Sequence, residues 1–121
     1  MSRETIHLNV EPNLDDTGVI VLNLSGKLDS RSSAELLDLI ESLVTRGERY
    51  IVLNCVDLER MNSSGLEALL RARARLKRDE VDLSIAGAKG IVAEVLRITR
   101  LDRVFELFPT VHHAIDSLQT A

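Results

Sequence analysis

The chain has 121 residues and a formal net charge of −4; 45% of it is hydrophobic, yet it holds one Tyr, two Phe and no Trp. That length suits one domain, residues 1–121, which buries about two-thirds of its unfolded surface around an aliphatic core. The charge gives no field for polyphosphate, the few aromatics argue against stacking on single-stranded nucleic acid, and the lone Cys55 excludes an intrachain disulfide.

In chain order, Ile6, Leu8 and Val10 alternate with His7 and Asn9, the period of a half-exposed strand. Pro12 to Gly18 is acidic and turn-rich, so the chain reverses there. Val19 to Leu24 is nearly continuous apolar strand, and the two segments predict an antiparallel hairpin. Ser30 to Ser33 leads into a helix in which Ser32 and Glu35 read as a capping box. Leu36, Leu37, Ile40, Leu43 and Val44 form its apolar face. Gly47 ends it, with Arg46 near its negative end. Tyr50 to Leu53 suits a strand buried on both faces, and a helix joining two strands predicts parallel pairing. Cys55 reads as a small apolar residue beyond it.

Asn62, Ser63, Ser64 and Gly65 then make a polar junction before Leu66, Leu69 and Leu70, which stand at helical spacing. The helix is expected after Gly65 and to about Lys77. Ser64 with Glu67 reads as another capping box, which leaves Ser63 without a structural task. A helix start offers unpaired amides and roughly half a positive charge, and a phosphate would bring about 1.5 to 2 negative charges to it. Local chemistry alone equally allows Ser63 to be an ordinary cap or turn residue. Arg71, Arg73, Arg75, Lys77 and Arg78 make the second half of the helix basic. They suit a solvated helix end, or a patch for an acidic partner or nucleic acid.

Val81, Leu83 and Ile85 alternate with Asp82 and Ser84 in a fourth strand ending at Gly87. Ile91, Val92, Val95 and Leu96 give a third helix, Val104 to Leu107 a short strand, and Pro109 and Thr110 open a last helix with Ala114, Ile115 and Leu118. His112 and His113 are adjacent and diverge on a helix, so no metal site is expected. Phosphate-cradling loops and a nucleophile elbow are absent, so neither cofactor nor enzymatic chemistry is expected. A receiver-type phosphoacceptor aspartate fails as well, because the third strand leads into Asn54 and Cys55. No apolar run nears the roughly 20 residues that span a bilayer and no secretory leader precedes the first strand, so a soluble cytoplasmic protein is expected.

Strand, acidic turn, Met61-Asn62-Ser63-Ser64-Gly65-Leu66 and helix together resemble the signature of STAS-domain anti-sigma factor antagonists, written D-S-S-G-L or D-S-T-G-L. Leu24-Ser25-Gly26-Lys27-Leu28-Asp29 is similar to the family's L-x-G-x-L-D at the end of the second strand. Leu96 to Phe108 resembles its third helix and last strand. The resemblance implies an α/β single domain with a mixed four- to five-stranded sheet and about four helices. It further implies a partner that is both anti-sigma factor and serine kinase, with a serine phosphatase reversing its action, and no direct contact with nucleic acid or membrane. Ser63 becomes the phosphoacceptor, and Asp29, Asn62, Ser64, Gly65 and Leu66 the partner-binding or framing positions. Asn62 departs from the usual aspartate, and Arg100 stands where many relatives have glycine. Two alternatives stay open: a STAS scaffold or adaptor that is never phosphorylated, and a module binding a nucleotide or small ligand near the helix start.

Overall fold

The computed structural model describes residues 7–12 and 18–120. Strand β1 (His7–Pro12) pairs antiparallel with β2 (Val19–Leu28), His7 opposite Ser25 and Pro12 opposite Ile20. Residues 13–17 of the expected turn, and Ile6, lie outside the described residues. β2 then runs parallel to β3 (Tyr50–Met61), β3 to β4 (Asp82–Ala86) and β4 to β5 (Glu106–Phe108), so the spatial order is β1-β2-β3-β4-β5. Helices α1 (Ser30–Thr45), α2 (Ser63–Arg78), α3 (Gly90–Ile98) and α4 (Val111–Thr120) make the connections and the end, with a 3-10 turn at Leu101–Arg103.

The strands read as continuous apolar runs because both faces are covered. Ile20, Leu22 and Leu24 of β2, Ile51 and Leu53 of β3, and Leu83 and Ile85 of β4 face the larger core. Leu36, Ile40 and Leu43 of α1, Leu69 and Leu76 of α2, and Val92 and Leu96 of α3 close it. The alternate residues Val19, Val21, Val52 and Ala86 meet Ala114 of α4 on the other side. Cys55 is buried in the larger core, and burial pushes its thiol up to about 12, so the expected apolar role holds.

Several expectations need correction. β2 reaches Leu28 and β3 reaches Met61, well past their apolar runs; beyond Cys55 only Leu58 and Met61 of β3 are buried, and charged neighbours take the solvent side. Neither serine–glutamate pair forms a capping box. α1 is capped one residue earlier than its first turn of serines, by Asp29, and its N3 partner is Ser32. α2 begins at Ser63, ahead of Gly65, and Asn62 is its cap. The last strand is shifted to Glu106–Phe108: Val104 caps the 3-10 turn, and the buried Phe105 spends its N–H on the Leu101 carbonyl at 2.9 Å. Gly47 stops α1 as expected, at φ +92 with Arg46 as C-cap.

Arg100 sits after α3 in the left-handed region, at φ 65 and ψ 20, where a Cβ is disfavoured. Arg100→Gly is expected to stabilise the fold by about 1 kcal/mol. Urea denaturation measures this; an unchanged midpoint would show that the lost unfolded-state restriction cancels the relief.

Candidate functional site

The site is built by the ends of β2 and β3. Lys27 stands opposite Arg60 and Leu28 opposite Met61, and the Asn62 N–H donates to the Leu28 carbonyl at 3.2 Å. Two helices therefore start from one clamped pair of strand ends, with Asp29 capping α1 and Asn62 capping α2. Both caps line a cavity of about 340 Å³, together with Lys27, Leu28, Arg60 and Met61.

At the α2 start the Asn62 Oδ1 accepts from the Gly65 N–H at 3.0 Å, while its carbonyl accepts from the Leu66 N–H at 3.1 Å. The amides of Ser63 and Ser64 precede any intrahelical acceptor. Ser63 is exposed and its hydroxyl takes part in no hydrogen bond with the described residues. Ser64 is half-buried and is not the cap. Asparagine caps a helix about as well as aspartate. Asn62 thus supplies the geometry without the charge, and no acidic residue lies in the first turn of α2.

At the α1 start, Asp29 Oδ1 accepts from the amides of Arg31 and Ser32, each at 3.1 Å. The Ser32 Oγ accepts from the Asp29 N–H and donates to the Lys27 carbonyl, both at 2.9 Å. The Ser32 amide chiefly, then its hydroxyl, the Arg31 amide and the Lys27 charge, hold the Asp29 carboxyl below its ordinary range against the opposing effect of burial. Asp29 is therefore ionised at neutral pH with one oxygen committed to the cap.

Gly65 is buried where α2 passes closest to the β2–α1 junction; a Cβ there would lie 2.5 Å from the Leu28 carbonyl oxygen. Leu66 packs half-buried against the larger core. The structure thus brings Asp29, Asn62, Ser63 and Ser64 to one end of the sheet, with Gly65 and Leu66 framing them. Lys27, Arg60 and Met61 were not singled out from the sequence. Lys27 and Met61 stand inside the two quoted motifs without a role of their own, and it is the β2–β3 register, which no local pattern reveals, that brings them together with Arg60.

The basic run along α2 does not act as a block. Arg75 pairs with Glu41 of α1 and with Asp79, the latter at 3.1 Å. Among the described residues, no three His, Cys, Asp or Glu side chains are placed to hold a metal, and no helix is long and apolar enough to cross a membrane.

The STAS domain profile matches residues 12–114. The chain is 25% identical over 105 residues to the anti-sigma-F factor antagonist RsfB of Mycobacterium tuberculosis, covering 87% of this chain and 85% of that protein. A crystal structure of an anti-sigma factor antagonist from Mycobacterium paratuberculosis superposes with a TM-score of 0.83 at 24% identity, over 98% of this chain and 97% of that one. SpoIIAA is similar in fold in both of its forms. The unphosphorylated structure gives a TM-score of 0.72 at 18% identity over 95% of this chain and 100% of that one. The phosphorylated form, from Bacillus, gives 0.70 at 20% identity over 93% and 99%. With the profile spanning most of its length, this chain belongs to the STAS domain family.

Proposed function

We propose that this chain is an anti-sigma factor antagonist whose binding surface centres on Ser63 and is switched off by phosphorylation there. The observation that carries the reading is an exposed serine hydroxyl, free of hydrogen bonds with the described residues, at the first position of α2. A positive helix terminus lies beneath it and no carboxylate stands in that first turn to repel a phosphate. The similarity to RsfB and to the two forms of SpoIIAA supports the assignment. The partner is an anti-sigma factor with serine kinase activity, and the action takes place in the cytoplasm by protein binding, without an enzymatic step on this chain.

In the transfer, the Ser63 Oγ attacks the γ-phosphorus of ATP held by the partner. The new O–P bond forms as the bond to the ADP oxygen breaks, and the hydroxyl proton passes to a base on the kinase. Hydrolysis by a serine phosphatase restores the hydroxyl and releases inorganic phosphate. Incubation with the kinase partner and ATP is expected to add a single phosphate, seen by intact mass and placed on Ser63 by fragmentation. Ser63→Ala should abolish it and Ser64→Ala should not. Phosphate on Ser64 alone, or none with an active kinase, overturns the switch. Asn62, in place of the family's aspartate, favours a second reading in the latter case: an adaptor that binds its partner constitutively.

A further inference from the structure

A cavity of about 520 Å³ lies at the opposite end of α2, between that helix, the start of β4, the 3-10 turn and the start of β5. Ser63 is ten or more residues away along the helix, about 15 Å or more. The volume is that of an ordinary small-ligand pocket. Its floor is apolar: Leu76, Val81, Leu83 and Phe105 are core residues, and half-buried Val104 adds to them. Its rim carries Arg73 and Lys77, one turn apart on α2, and Arg103 from the 3-10 turn. None of the three cations makes an ion pair within 4.0 Å among the described residues.

Three carboxylates also belong to the lining, Asp82, Asp102 and Glu106, but they do not balance this rim equally. Leu83 and Ile85 face the larger core, so strand alternation turns Asp82 and Ser84 to the α4 side of the sheet. Glu106 is paired directly with Ser84 and shares that side. Of the three lining carboxylates, strand alternation leaves Asp102 on the side of Arg73, Lys77 and Arg103. Moreover β5 begins only opposite Ser84, so no strand covers the β4 edge before it. The Asp82 N–H is spent on the Arg49 carbonyl of the β3 side, and the next amide, that of Leu83, therefore points to the uncovered edge.

The geometry points to a binding site for small amphiphilic organic anions, a carboxylate or phosphate ester on an apolar body. The acid sits between Arg73, Lys77 and Arg103 and the body on Leu76, Leu83 and Phe105. Like charges gathered over an apolar floor are relieved by a counter-anion, and the body displaces water from that floor. The site is independent of the Ser63 surface, so either can be tested without the other.

Titration of the ¹⁵N-labelled full chain with 4-phenylbutyrate and with phenyl phosphate tests this and separates the two acid types. Saturable amide shifts are expected at Leu83 and over residues 101–106, from at least one of the two. The neutral 4-phenylbutyramide and acetate alone should each bind at least tenfold more weakly. The double variant Arg73→Gln, Arg103→Gln, whose fold is verified by its unchanged remaining spectrum, should weaken the anion at least fivefold. Shifts equal for acid and amide would leave only an apolar crevice and overturn the assignment. Shifts confined to residues 27–29 and 60–66, or no saturation with either anion, overturn it too.

Discussion

Gly65→Ala is expected to lower stability by about 2 kcal/mol, although alanine is the better helix former. The added Cβ would lie 2.5 Å from the Leu28 carbonyl oxygen, 2.9 Å from Met61 Cγ and 3.0 Å from Leu28 Cγ. The nearest of these is backbone, and it is held in place by the Asn62 N–H at 3.2 Å. Relief therefore requires α2 to move away from β2, which strains packing by about 1–3 kcal/mol and weakens a hydrogen bond worth about 0.5–1.5 kcal/mol. The helical preference of alanine over glycine returns only about 0.5–1 kcal/mol. For a chain of this size 2 kcal/mol corresponds to a melting temperature lower by roughly 8 °C. Thermal and urea denaturation read the effect directly. A variant as stable as the wild type would show that the junction yields freely and that Gly65 does not frame the site.

Ser63→Glu is expected to weaken binding to the anti-sigma factor partner on the order of 100-fold while leaving the fold intact. A helix terminus stabilises an anion by about 0.3–1 kcal/mol, which is far too little to remodel a domain. A new charge about 5 Å from an acidic group of the partner costs roughly 3 kcal/mol at an effective dielectric near 20, and that is a loss of about two orders of magnitude in affinity. In the proposed switch the modification therefore acts at the interface, through charge and bulk, and not by remodelling the fold. Titration calorimetry with the partner gives the affinity, and a melting curve checks the fold. The loss should shrink as salt rises. Equal affinities for the two proteins would remove the switch.

The faces of the helices were legible because their period is local: Leu36, Ile40 and Leu43, or Leu69 and Leu76, sit in the core where their spacing puts them. Ser63 was legible for the same reason, as a polar residue at a strand-to-helix junction. The caps were misread because two Ser-x-x-Glu stretches imitate a capping box. Asp29 and Asn62 take the role once the paired ends of β2 and β3 place them at the helix starts. The lengths of β2 and β3 were underestimated because Ser25, Gly26, Asp57 and Arg60 break the apolar run without breaking the pairing, aided by register shifts beside Ser25 and Gly26. The cavity ringed by Arg73, Lys77 and Arg103 draws on separate elements, so nothing short of the tertiary fold assembles it.

The spatial order of the strands repeats their order along the chain. Each new segment thus meets a partner already in place, and none must be inserted between two earlier ones. Such a molecule grows by accretion outward from its first hairpin. Each closure spans about one helix and its flanking loops, never the whole chain, so the parallel pairings between β2, β3, β4 and β5 set the pace of folding one connection at a time.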